Sequence, residues 1–246
     1  MYNFSGQTAL VTGGTRSIGG AISTALLQSG ARVVAVYAGN AEKAEAFRAE
    51  QAAHGDRLFL EKLDVSDYAA VEKFFSAYND KFGKLEILVN NAGIRRDAIV
   101  GMMSCEDWRR VIDVNLTGTF NMCKFGVQQM MSARYGRIIN ITSPCGHFGF
   151  EGQANYAASK AGQVGLTRSL SKETAKRKIT VNCVSPGFID TDLIADLPED
   201  LAKKYKNDVP VKRFGTPEEV AHAVLFLAMK ESAYINGATL EVTGGL

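Results

Sequence analysis

The sequence is short of the features that mark several functional classes. Its three histidines, His54, His147 and His222, are scattered and form no metal-ligand spacing, so no metal centre is expected. The four cysteines, Cys105, Cys123, Cys145 and Cys183, include no close CxxC pair. No apolar run is long enough to span a bilayer. The opening MYNFSGQTALV lacks a charged leader followed by an apolar block, so the chain is expected in the cytoplasm with its thiols reduced. A net charge of +2 is too close to neutral to make nucleic acid the main partner. Internal repeats and low-complexity segments are absent. What remains is ordinary globular material: 246 residues, 46% hydrophobic and 22% charged. That length can bury a core without staples. No boundary is evident, so residues 1–246 read as a single domain.

Short apolar runs alternate with helical patterns along the whole chain. The runs are Gln7–Thr12, Arg32–Tyr37, Arg57–Leu63, Leu85–Val89, Gly136–Thr142, Ile179–Val184 and Ala238–Val242. Between them lie helical stretches at Ala21–Gln28, Ala41–Ala53, Asp67–Phe82, Cys105–Met131 and Ala154–Lys176, and a last helix over Val220–Met229 opened by Pro217. This rhythm predicts an α/β fold, one doubly wound parallel sheet with helices on both faces. Residues 190–212 are polar and weakly patterned, and are expected to form a small helical lid over a substrate cleft. In such sheets ligands sit at the carboxyl ends of the strands.

Candidate chemistry gathers at those ends. Thr12-Gly13-Gly14-Thr15-Arg16-Ser17-Ile18-Gly19 joins the first strand to a helix, the geometry in which open backbone N–H groups hold a phosphate. Neither a phosphate loop ending in Gly-Lys-Ser/Thr nor the GxGxxG spacing is present. The second strand ends in Tyr37-Ala38-Gly39-Asn40, without the Asp or Glu that usually meets a free ribose 2′-hydroxyl. Arg16 would instead meet a 2′-phosphate, which favours NADPH over NADH. Asp64, before Val65, would accept from an adenine amino group or cap the next helix. Asn90-Asn91-Ala92-Gly93 follows the fourth strand and suits either close nucleoside approach or a structural turn. Asn115, inside an apolar helical stretch, is either a buried strut or an active-site group.

Ser143 follows the fifth strand, and Tyr156 and Lys160 lie four apart on the next helix, on one face. A phenol is a weak acid, with a reference pKa of about 10, and a nearby ammonium makes its proton easier to release. This trio suits proton exchange at an oxygen whose carbon exchanges hydride.

With these segments placed, the chain resembles a short-chain dehydrogenase/reductase. Within that superfamily it is most similar to 3-oxoacyl-[acyl-carrier-protein] reductases. The resemblance rests on NAGIRRD, DVNLTGTFN, YGRIINITS, GQANYAASKAG, ITVNCVSPGFIDTD and INGATLEVTGG and covers nearly the whole chain. It implies a Rossmann-type sheet of seven strands, an NADPH cofactor, a homotetramer and an acyl-carrier-protein or acyl-CoA thioester substrate. By position it makes Tyr156 the general acid and Ser143 the group that polarises the carbonyl. Lys160 would hold the nicotinamide ribose, and Asn115 a water leading to a proton relay. Gly13, Thr15, Arg16, Ile18 and Gly19 would bind phosphates. Tyr37, Asp64 and Val65 would border the adenosine, Asn91, Ala92 and Gly93 the ribose, and Pro186, Gly187, Ile189 and Thr191 the nicotinamide. Arg134 and Arg177 would dock an acidic carrier protein. Two departures stand out: Ser17 where such loops have glycine, and Pro144–Phe148 where small aliphatics are usual. They leave open a specialised acyl chain, a polyketide-like pathway, acetoacetyl-CoA or a non-thioester ketone.

Overall fold

In a computed structural model, residues 2–191 and 199–246 are described. Seven strands form one parallel sheet: β1 (Thr8–Thr12), β2 (Arg32–Tyr37), β3 (Leu58–Lys62), β4 (Ile87–Asn90), β5 (Gly136–Ile141), β6 (Ile179–Pro186) and β7 (Thr239–Val242). Their spatial order is β3-β2-β1-β4-β5-β6-β7. The order reverses between β1 and β4, and a doubly wound sheet opens its ligand crevice at such a switch point.

The helices are α1 (Ser17–Gln28), α2 (Ala41–Glu50), α3 (Tyr68–Ser76), α4 (Tyr78–Phe82), α5 (Cys105–Ile112), α6 (Gly118–Ala133), α7 (Cys145–Phe148), α8 (Ala154–Thr174), α9 (Glu199–Asp208) and α10 (Pro217–Ala228). Central strands read as near-continuous apolar runs because both faces of the sheet are covered. Ala9, Val11, Val33 and Ala35 face α1 and α10 with Ile22, Leu26, Val224 and Leu227. Leu10, Val34 and Leu88 face the other way, onto Val71, Phe75, Tyr78, Met122 and Phe125. Period-two alternation thus divides one sheet between two cores.

Three expected segments differ in detail. The helix expected over Asp67–Phe82 begins after Asp67, whose side chain accepts from Ala70 N at 3.0 Å, and it breaks at Ala77 into α3 and α4. The long stretch Cys105–Met131 is not one α-helix. Asp113–Thr117 forms a π turn between α5 and α6, and Asn115 lies at its centre. Single π turns inside helices are often found at functional sites. Of the expected lid, residues 192–198 lie outside the described residues; α9 occupies part of the rest. The short helix α7 has no counterpart in the sequence reading. For α10, Pro217 sits in the first turn behind a capping box: Thr216 accepts from Glu219 N and Glu219 accepts from Thr216 N. No helix among the described residues is long and apolar enough to cross a membrane.

Candidate active site

A cleft of about 400 Å³ opens at the carboxyl ends of β1, β4, β5 and β6. Arg16, Ile18, Asn91 and Gly93 line one side; Ser143, Tyr156, Lys160, Pro186, Gly187, Ile189 and Thr191 line the other.

Tyr156 and Lys160 project from the first turns of α8, and the Lys160 ammonium lies 5.5 Å from the centre of the Tyr156 ring. Lys160 is only 4% exposed. Its Nζ donates to the Ile141 carbonyl at 2.7 Å and to Gln163 Oε1 at 3.3 Å. Burial pulls it down to about 8, against the pull of Cys183 and Cys145. Ser143 Oγ accepts from Cys145 N at 3.2 Å, so α7 fixes the serine from the far side.

Burial pushes Tyr156 up to about 12, with Cys145 adding to the rise; the hydrogen bond with Ser143 and the charge of Arg95 act the other way. An unusually acidic phenol was the expectation. In the protein alone desolvation dominates instead, because the half-buried ring is largely removed from water. The consequence is a tyrosine that stays protonated at neutral pH.

Asn115 is fully buried. Its Oδ1 accepts from Ile94 N at 2.8 Å, and its Nδ2 donates to the Ile94 carbonyl at 3.0 Å and to Ser159 Oγ at 3.1 Å. The side chain ties the loop after β4 to α8 and does not line the cleft. These side-chain bonds are those of a strut.

The glycine loop is packed as a unit. Gly13 has φ +62°, a conformation that favours glycine. Asn91 Nδ2 donates to the Thr12 and Gly13 carbonyls at 3.1 and 3.2 Å. A Cβ on Gly19 would collide with the Gly13 carbonyl and with Asn91 Nδ2. Gly13, Thr15, Gly19 and Ala92 therefore stand behind the cleft wall, and Arg16 and Ile18 form its surface. Ser17 holds φ +47°, the left-handed region that a glycine would occupy without strain. The start of α1 has no side-chain cap and no acidic residue in its first turn, which leaves N–H groups open to an anion.

Tyr37, Asp64 and Val65 are not brought to the cleft wall. Asp64 Oδ1 accepts from Ser66 N at 2.9 Å and from Ser66 Oγ at 2.6 Å, and Oδ2 pairs with Arg110 at 3.1 Å. Burial alone would raise the Asp64 pKa; these bonds outweigh it and hold the carboxyl below its usual value. The Val65 carbonyl accepts from Asn121 Nδ2 at 2.9 Å. Arg134 and Arg177 lie elsewhere. They precede the starts of β5 and β6, at the opposite edge of the sheet, where Arg134 Nη2 donates to the Lys176 carbonyl at 3.2 Å.

Some lining residues escaped the sequence reading. Phe150, Phe188 and Tyr205 border the cleft, with the Phe188 and Tyr205 rings stacked at 4.6 Å. Arg95 also lines it, held by Asp97 at 2.9 Å. Arg95 sits inside NAGIRRD, so charge in a loop after a strand was the available signal. The ring cluster spans distant segments and had none.

The family model described as Enoyl-(Acyl carrier protein) reductase matches residues 13–246. The chain is 45% identical over 244 residues to 3-oxoacyl-[acyl-carrier-protein] reductase FabG of Escherichia coli (strain K12), covering 99% of this chain and 98% of the relative. It is 43% identical over 242 residues to the reductase of the same name from Aquifex aeolicus (strain VF5), covering 98% and 97%. The chain belongs to the short-chain dehydrogenase/reductase family. It is accordingly an oxidoreductase, and the family implies a nicotinamide cofactor. The residues present fit such a group: the uncapped start of α1 and Arg16 would meet its phosphates, and Ser143, Tyr156 and Lys160 would lie at its reacting end.

Proposed function

We propose that this reductase converts a 3-oxoacyl thioester, carried on an acyl carrier protein, to the 3-hydroxyacyl thioester with NADPH. The observation that carries this reading is that Ser143, Tyr156 and Lys160 line one cleft, with the buried Lys160 ammonium 5.5 Å from the centre of the Tyr156 ring. Two hydroxyls converging on one point suit a carbonyl oxygen that becomes a hydroxyl. The bound dinucleotide supplies the hydride. Ser143 orients and polarises the carbonyl, and Tyr156, protonated at neutral pH, gives its proton to the oxygen. The Lys160 charge stabilises the tyrosinate left behind.

Preference for NADPH rests on Arg16 and on the strand end Tyr37–Asn40, where no carboxylate stands to repel a 2′-phosphate. Asp64 and Val65 serve the adenosine through the loop that they shape. Because Arg134 and Arg177 lie at the sheet edge opposite the chain's own cleft, they would dock a carrier engaged with another subunit of a homotetramer. The whole chain acts as one domain in the cytoplasm, with α9 as a lid. The ring cluster of Phe150, Phe188 and Tyr205 gives the acyl group an apolar wall.

The family description names an enoyl substrate and the curated relatives name a 3-oxoacyl one. Near-complete coverage by the latter, together with the paired hydroxyls, favours the ketone. The test is NADPH and NADH oxidation against 3-oxoacyl and enoyl thioesters of graded length, on carrier protein and on CoA. We expect oxidation of NADPH with the 3-oxoacyl series on carrier protein. No turnover with any 3-oxoacyl thioester overturns the reading.

A further inference from the structure

Directly behind the Tyr156–Lys160 pair lies a buried glutamine that neither the mechanism above nor the relatives' names assign. Gln163 sits three residues after Lys160 on α8 and has no exposed surface. Its Oε1 accepts from Lys160 Nζ at 3.3 Å. Its Nε2 donates to the main-chain carbonyl of Asn115 at 2.7 Å and to Thr119 Oγ1 at 2.8 Å. Thr119 Oγ1 in turn donates to the same Asn115 carbonyl at 2.7 Å. A carbonyl oxygen has two lone pairs, and these two donors take both. The resemblance gives Asn115 a water leading to Lys160; here a side-chain amide already spans that gap.

We propose that Gln163 is a positioning residue for the reduction, an amide bridge from the Asn115 carbonyl to Lys160 that takes the place of a water link. The proposal rests on the ketone-reduction reading. The amide suits this place for a stated reason. Its oxygen accepts from the ammonium while its nitrogen donates to the carbonyl of the π turn, so both ends are satisfied in a fully buried site. An amide holds a charge in position but does not hand a proton onward as a water does. The bridge therefore fixes the ammonium rather than feeding it. Tyr156 regains its proton from solvent in the open cleft: one Tyr156 O–H bond breaks as one product O–H forms, and the tyrosinate then takes a proton from water, which leaves as hydroxide to the bulk, so that one proton of the solvent is consumed per turnover.

The other groups facing Lys160 are few. Tyr156 lies on its own helix, Cys183 comes from β6, and Cys145 from α7; Arg95 and Asp97 act on Tyr156 and Cys145 from the loop after β4. Burial raises both thiols, so they stay neutral near pH 7. The Ile141 and Gln163 oxygens are the acceptors that the ammonium reaches by hydrogen bonds.

The experiment follows Lys160 directly. Lysine ¹³Cε shifts of the labelled full-length protein are titrated with pH, the Lys160 signal being assigned through Lys160→Met. Gln163→Leu keeps bulk and removes the acceptor; Gln163→Glu strengthens it. The expected result is a Lys160 midpoint lowered by about half a pH unit or more in the leucine variant and raised in the glutamate variant. The basic limb of the kcat profile should move the same way, and kcat of Gln163→Leu at pH 8 should fall about twofold or more, with the KM for NADPH within about twofold. A role in packing alone would lower the melting temperature and leave the midpoint where it is. An unmoved midpoint in folded Gln163→Leu overturns the proposal, and that variant decides alone should Gln163→Glu not fold. If the unaltered protein reduces no 3-oxoacyl thioester, the functional reading fails while the lysine titration still decides on the bridge.

Discussion

The two sides of the cleft differ in how much of their bonding is already made. On the side built from β5 and α8, backed by the π turn, Asn115, Ser159, Lys160 and Gln163 are buried and bonded to one another or to main chain. On the glycine-loop side Arg16 is exposed, and the first N–H groups of α1 have no side-chain cap. One side is finished before any ligand arrives; the other keeps its donors for a ligand that brings its own acceptors. This is the division expected when reaction needs fixed geometry and binding needs open donors. Asp64, which stands off the cleft wall, has both of its carboxylate oxygens engaged and keeps none open.

The contrast can be tested from both ends. Tyr156→Phe removes the proton donor from the finished side and should lower kcat by about a thousandfold or more. NADPH affinity, measured by fluorescence titration, should change by less than about twofold. A comparable loss of binding would mean that the two sides are not separable.

Lys160 tests the cost of that finished state. Its proton is held to pH 10.5 when the chain is unfolded and is given up from about 8 in the fold. Between those values the unfolded chain binds more protons, so the native state gains stability as pH rises. Lys160→Met lacks this gain. The stability of the unaltered protein relative to the variant should therefore grow between pH 8 and 10.5, by up to ~3 kcal/mol. Urea denaturation at the two pH values measures it; a flat difference would show that the ammonium is not strained by burial.

On the receptive side, Arg16→Glu should weaken NADPH binding by about 10- to 100-fold, the worth of a charged hydrogen bond of ~1.5–3 kcal/mol, and change NADH binding little. Equal loss for both cofactors would remove the 2′-phosphate assignment. At the far edge of the sheet, Arg134→Glu with Arg177→Glu should raise KM for a carrier-bound substrate by about five- to tenfold and leave a small free ketone unaffected. The smallest effect belongs to Ser17→Gly. Relief of a left-handed backbone should add up to ~1 kcal/mol of stability, seen as a rise of a few degrees in melting temperature.

Much of this arrangement was legible in the sequence. Strand runs buried on both faces are apolar at nearly every position, so β1, β2, β5 and β6 could be placed within two residues at either end. The nearness of Tyr156 and Lys160 in one cleft was legible because both lie one turn apart on a single helix. What stayed hidden depends on contacts between distant segments. Asn115 could be read two ways because its partners, Ile94 and Ser159, lie 21 and 44 residues away. The π turn carries no local composition signal. The rise in the Tyr156 pKa reflects burial by segments far apart in sequence, which spacing on one helix does not report. Arg134 and Arg177 aligned with a docking role by position, and only the strand directions put them at the other edge from the cleft.

Gly19 carries a consequence beyond its own site. Its missing side chain lets α1 rest directly on the turn after β1, and α10 packs against α1 in turn. A single methyl group at this joint would lift both helices together and carry the anion-facing N–H groups off the crevice. Affinity for the nucleotide and cohesion of that layer are thus set by the same few ångströms, and neither property is free to drift without the other.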